Sequence, residues 1–162
     1  MFLFRERIQA AAEGRTVLQG LCTNSLVRCD ALRQLTMDAL RNTNLNAALG
    51  FSQALLQDTN ATFGDRLVHL GLLRASTNSQ LAPFLQGMQA ESTNNPVKAY
   101  EVAKWMLTSG NAGQSLAWLK GLPPVTRTNL PVPMLEADCY LALKDWPGLL
   151  TNSASQSWSH FA

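Results

Sequence analysis

Residues able to do chemistry are few in this chain and widely scattered. His69 and His160 are the only histidines among 162 residues, so neither a three-histidine metal site nor an H-E-x-x-H helix can be built. Cys22, Cys29 and Cys139 include no C-x-x-C pair, and an odd number makes a poor disulfide framework. Cys22 and Cys29 would lie two turns apart if one helix ran through both. All three read as small buried residues on helical faces, which favours a reducing compartment. A nucleophilic pair of Cys29 or Cys139 with His69 has nothing in its spacing to support it. Glu136 and Asp138 are two apart and face different sides of a helix, as on a solvated surface rather than in an acid–base pair. The stretch Gly110-Asn111-Ala112-Gly113-Gln114-Ser115 is spaced like a phosphate loop but lacks the lysine and a preceding strand. G-x-G-x-x-G and G-x-S-x-G are absent. The expectation is a chain without catalytic residues, metal or cofactor.

Four tryptophans, Trp105, Trp118, Trp146 and Trp158, suggest a different use. Aromatic rings and asparagine amides on a helical surface can hold an extended peptide, the amides bonding its backbone. Asn111, Trp118 and Trp158 are the candidate partner surface on that reading. The alternative places Trp105 and Trp118 in the core, with Trp158 and Phe161 covering the last helices or awaiting a further pair.

The balance of the chain narrows the partners. Its net charge is +2, and charged residues make up 15% of it, well under the usual quarter or so. Arg5, Arg7, Arg15, Arg28, Arg33 and Arg41 crowd the first part, but Glu6, Glu13, Asp30 and Asp38 are interleaved with them. Alternating signs of this kind mark solvated helix faces rather than a nucleic-acid groove. The opening Met1-Phe2-Leu3-Phe4 meets charges at once, too early for a signal-peptide core, and no window is long and apolar enough to span a bilayer. Neither nucleic acid nor membrane insertion is expected, and the cytoplasm is favoured.

These side chains need elements to position them, and the pattern is helical throughout. From Pro96 to Leu122 two amphipathic helices fold back on each other. Pro96 suits a first turn, and Ala99, Val102, Ala103, Met106 and Leu107 give one apolar face. Ser109-Gly110-Asn111 turns the chain, and Leu116, Leu119 and Leu122 restart the period until Pro123-Pro124. Earlier, Asn24-Ser25 is a candidate N-cap for a helix over 25–41, with Leu26, Cys29, Leu32, Leu35, Ala39 and Leu40 inward. Asn42-Thr43-Asn44 turns into a helix over 46–57. A further pair follows Gly64-Asp65, turning at Ser76-Thr77-Asn78 and returning through Leu81, Phe84, Leu85 and Met88. The link Val125–Pro133 reads as extended because Pro131 and Pro133 restrict their predecessors. A last pair turns at Lys144-Asp145. Residues 3–13 form a helix with Leu3, Ile8, Ala11 and Ala12 inward, limited by Gly14 and Gly20. Strand patterns are absent.

The pairs repeat. A shift of 34 residues superposes Val68, Leu72 and Leu73 on Val102, Met106 and Leu107; a second carries Ala103, Met106, Leu107 and Leu116 onto Ala137, Tyr140, Leu141 and Leu150. A helix pair of this size cannot bury its apolar face alone, so a fixed period implies stacking. The period and the run from Ala137 to Trp146, with its small residue, aromatic and turn into a second helix, resemble the tetratricopeptide repeat (TPR) family. Lys144 stands where that family's turn glycine is usual. Ala103 and Ser115 occupy its small-residue positions, as do Thr36 and Ala48 in the first unit, whereas His69 and Leu81 replace small residues in the second. The resemblance covers roughly residues 26–152. It implies an all-α solenoid of about four antiparallel helix pairs in a right-handed superhelix. The units are 25–60, 64–93, 96–124 and 131–162, after an N-terminal helix or cap over 1–24. It also implies a non-catalytic scaffold that binds a protein or peptide. A structural segment of a larger solenoid and a helical-repeat RNA binder are the alternatives.

Overall fold

The computed structural model describes residues 2–155, with side-chain surroundings for 9–154. Among these there are ten helices and no strand. The chain divides into two compact units, the first ending at Ala82 and the second beginning at Pro83.

In the first unit, α1 (Phe2–Leu21) packs on α2 (Arg28–Arg41), α2 on α3 (Leu45–Leu56), and α3 on α4 (Phe63–Ala75). Cys29, Leu32 and Leu55 form one buried cluster, and Ala39, Ala48 and Leu72 another. In the second unit α5 (Leu81–Ser92), which starts at the division, precedes α6 (Pro96–Thr108) and α7 (Ala112–Lys120). A single turn of helix, α8 (Pro124–Arg127), leads to α9 (Val132–Leu143) and α10 (Trp146–Ser155). α9 packs against both α6 and α7, and α10 against α9. The core there gathers Ala103, Leu116, Leu119, Val132, Leu135 and Cys139 with their neighbours.

One turn is used four times. Thr43, Thr77, Gly110 and Lys144 all have left-handed backbone, with φ of 55°, 50°, 83° and 57°. Their positions step by 34, 33 and 34. Each N–H donates to a carbonyl three residues back, and the following residue's N–H reaches five back. Asn44, Asn78, Asn111 and Asp145 bond the carbonyls of Ala39, Leu73, Met106 and Tyr140 at 2.9–3.0 Å. This pair of bonds satisfies carbonyls that a helix end leaves open. The same Asn or Asp then begins the next element. Asn44 Oδ1 accepts from the Ala47 N–H, Asn78 Oδ1 from Gln80, and Asp145 Oδ1 from Gly148. Lys144 has a Cβ in a conformation that costs an L-residue about 1–2 kcal/mol. Lys144→Gly should therefore raise stability by about 1 kcal/mol in urea unfolding, whereas unchanged or lower stability would mean the lysine side chain contributes elsewhere.

Helix starts follow local chemistry. Asn95 caps α6 through the Lys98 N–H at 3.0 Å, with Pro96 in its first turn as expected. Thr62 and Asp65 form a reciprocal capping box at α4. Ser115 Oγ donates to the Ala103 carbonyl at 2.9 Å, which two small residues permit.

Four expectations are corrected. α1 runs through Gly14 and Gly20, because a helical glycine costs only about 1 kcal/mol against alanine; Ala11 and Ala12 are exposed. Asn24 does not cap α2, which starts three residues later with Val27 at its N-cap; Asn24 Oδ1 accepts from the Leu26 N–H, and Leu26 is exposed. The link after Pro124 is not extended. Pro124 sits where proline favours helix, so α8 forms, and Pro133 is buried in the first turn of α9 after a cis Leu130–Pro131 bond. Glu136 is buried completely rather than solvated.

Candidate functional site

A cavity of about 200 Å³ opens between α2, α3 and α4 of the first unit. Helical spacing brings its walls together. Arg33, Thr36 and Met37 lie on one face of α2, Ser52 and Leu55 are three apart on α3, and Asp65 and Val68 three apart on α4. Met37 and Val68 are 42% and 41% exposed and form an apolar rim.

The polar groups in this cavity are already engaged. Arg33 holds Asp65 with two parallel bonds, Nε to Oδ1 at 2.9 Å and Nη2 to Oδ2 at 2.8 Å. Its Nη1 reaches Asp30 at 2.8 Å. Thr62 adds its N–H and hydroxyl to Asp65 Oδ2, each at 2.8 Å. Burial opposes the Asp65 charge, but the Arg33 and Thr62 bonds outweigh it and hold the carboxyl below its usual range. Arg33 is pushed upward in return, chiefly by Asp65. Thr36 Oγ1 donates to the Leu32 carbonyl at 2.7 Å. Ser52 Oγ donates to the Leu49 carbonyl at 2.9 Å and meets His69 Nδ1 at 2.8 Å. With that hydroxyl proton committed to Leu49, Nδ1 is assigned the ring proton and gives it to Ser52. Burial lowers the His69 pKa and favours the neutral ring. The pair ties α3 to α4 and provides no activated hydroxyl. What remains is a space whose free surface is almost wholly apolar.

A second cavity of about 220 Å³ lies between α1, α2 and α3. The Arg15–Asp38 ion pair and Asn42 line it beside Leu35, Ala39, Ala47 and Phe51, so apolar surface predominates there too.

The residues singled out from sequence fall elsewhere. Asn111 is exposed at the start of α7 and makes no side-chain cap bond. Trp118, half-buried, packs against the α6–α7–α9 cluster. Seven residues of helix separate the two by about 10 Å along the axis. Trp158, with His160 and Phe161, lies outside the described residues. The glycine-spaced segment is the α6–α7 turn, and its Ser115 is buried against Ala103 rather than open to a phosphate. Cys139 neighbours Ser115 Oγ at 3.6 Å, and burial pushes its thiol up. Among the described residues no group of three or more His, Cys, Asp or Glu side chains could hold a metal. No described helix is long and apolar enough to cross a membrane.

The α2–α3–α4 cavity is not legible in the sequence because its polar residues carry ordinary signals. Thr62-x-x-Asp65 is a legible capping box, but nothing local shows that Asp65 also meets Arg33, 32 residues earlier.

Compared with known proteins, the chain matches no family model, no curated protein and no solved structure.

Proposed function

We propose that this protein is a non-catalytic module of TPR-like repeats, an α-solenoid that binds a protein or peptide. The observation that carries the reading is the left-handed turn recurring at residues 43, 77, 110 and 144. A helix–turn–helix unit of constant length is the building block of stacked repeats, whose surfaces serve recognition. The α2–α3–α4 cavity adds a socket for one apolar side chain of the partner. Its polar lining is bonded internally, so an apolar group displaces water from it without stranding a donor or acceptor.

A displayed peptide library selected against the folded chain tests this. Enriched peptides should share an apolar anchor. Val68→Glu at the exposed rim should weaken them about 10- to 100-fold while leaving the helical circular dichroism intact, as loss of an anchor contact of about 1.4–3 kcal/mol requires. Absence of enrichment, or binding indifferent to Val68→Glu, would count against the socket.

A second reading, a structural segment of a larger solenoid, has one observation in its favour. Leu116 on α7 is buried against its cluster, whereas Leu150, its counterpart 34 residues on, is 73% exposed. A library that yields no binder while the chain is folded would favour this reading over the first.

A further inference from the structure

The connector between α1 and α2 carries two thiols into one small apolar cluster. In an unbroken helix, seven residues would hold the Cys22 and Cys29 Cα atoms about 10 Å apart, beyond the roughly 4.4–6.8 Å that a disulfide spans. α1 instead ends at Leu21. The Cys22 N–H still donates to the Leu18 and Gln19 carbonyls, each at 3.2 Å. Asn24 then bonds back to Leu21 at 3.0 Å and Val27 to Asn24 at 3.2 Å. The chain therefore coils tightly and re-enters helix at α2, of which Cys29 is the second residue. Cys22 consequently packs against the cluster that Cys29 forms with Leu32 and Leu55. Both thiols are free.

We propose that Cys22 and Cys29 are a reversible thiol–disulfide pair that, when bridged, pins the C-terminal end of α1 to the first turn of α2.

The two thiols have unequal roles. Cys22 is half-buried, within reach of a small reagent, and its Sγ donates to the Leu18 carbonyl at 3.3 Å. Cys29 is buried, and desolvation, followed by its bond to the Asp58 carboxylate, pushes its thiol up. The co-reactant is a low-molecular-weight disulfide, RSSR, such as oxidised glutathione. The Cys22 thiolate, its proton lost to solvent, attacks one sulfur of RSSR. A Cys22–SR bond forms, the RS–SR bond breaks, and RS⁻ leaves with a proton from solvent. The Cys29 thiol then loses its proton to solvent and attacks Cys22 Sγ. The Cys22–Cys29 bond forms, the Cys22–SR bond breaks, and the second RS⁻ takes a proton from solvent. Two protein thiols are oxidised by two electrons, and RSSR is reduced to two RSH. The bridge closes a loop of eight residues, Cys22 to Cys29, at the end of the α1–α2 contact away from the Arg15–Asp38 pair. Cys139 sits alone in the second unit's core and takes no part.

The test equilibrates the full chain in glutathione buffers of increasing oxidised fraction, blocks free thiols with iodoacetamide, and maps linkages by non-reducing peptide mass spectrometry. The expected product is a monomer lighter by two hydrogens, with Cys22 and Cys29 in one linked peptide and Cys139 alkylated only after unfolding. Dithiothreitol should restore the starting mass. Amide exchange through the last turns of α1 should slow several-fold in the bridged form. Cys29→Ser should stop at a glutathione adduct on Cys22. A wild-type chain that stops at the adduct, dimerises through Cys22, or stays reduced at the most oxidising ratio overturns the proposal.

Discussion

Arg127→Ala should cost about 3–5 kcal/mol of stability, because it strands a carboxylate in the second unit's interior. Glu136 is fully buried on α9. Arg127 Nε donates to its Oε1 at 2.7 Å and Nη2 to Oε2 at 3.2 Å, and Asn152 Nδ2 donates to Oε2 at 2.9 Å. Without the guanidinium, one amide must satisfy a full charge out of water. The arginine responds to the same geometry, its pKa raised above the ordinary value mainly by the Glu136 bond. Urea unfolding of Arg127→Ala measures the loss. The double variant Arg127→Leu with Glu136→Leu should recover most of it, since removing both charges removes the desolvation problem as well. If the single variant stays within about 1 kcal/mol of wild type, the carboxylate is not held as this geometry requires.

This ion pair also explains why the link into α9 is not extended. Prolines at 131 and 133 argue locally for extended chain. Arg127 ends α8, and its bond to Glu136 draws the segment back against α9. A contact across nine residues overrode the local preference. The fate of Glu136 was hidden for the same reason, because burial of a charge depends on its partner and not on its own position in the helix. α1 departs from its expected length for a different reason. Gly14 and Gly20 looked like limits, but glycine weakens a helix without forbidding it, and neither adopts left-handed backbone.

Helix existence and turn position were much more legible. Amphipathic periods from Leu32 to Leu122 placed the apolar faces, and Leu32, Leu35, Ala48, Leu70, Val102 and Leu119 are buried. The turns were marked by Asn42-Thr43-Asn44, Ser76-Thr77-Asn78, Ser109-Gly110-Asn111 and Lys144-Asp145. Only one of the four contains glycine, so turn chemistry was carried mainly by the Asn or Asp that ends one helix and opens the next. The candidate site was far less visible. Its rim, Met37 and Val68, consists of ordinary apolar residues on helix faces, and its floor depends on α2, α3 and α4 meeting. Cys22 precedes the helix expected over 25–41 and Cys29 lies within it, and nothing in that spacing shows that the connector after Leu21 sets both in a common cluster.

The small residues read from the repeat give the last large effect. Ala103→Trp should lower stability by about 3 kcal/mol or more, the upper end of what overpacking a close-packed core costs. Ala103 is fully buried where α6 meets α7 and α9. Its carbonyl accepts from Ser115 Oγ at 2.9 Å, and Cys139 Sγ lies 3.6 Å from that same oxygen. Three small side chains thus let three helices approach, and an indole at the first must part them. Separation would break the Ser115 bond and leave the hydroxyl buried without it, which adds to the steric term. Lys104→Trp, one residue on and exposed, is the control: it changes helix propensity similarly but places the ring in solvent. Unfolding curves for the two variants should therefore separate widely. If Ala103→Trp unfolds with Lys104→Trp, the α6–α7 contact has room for a ring, and small residues at this position are not what sets the distance between paired helices.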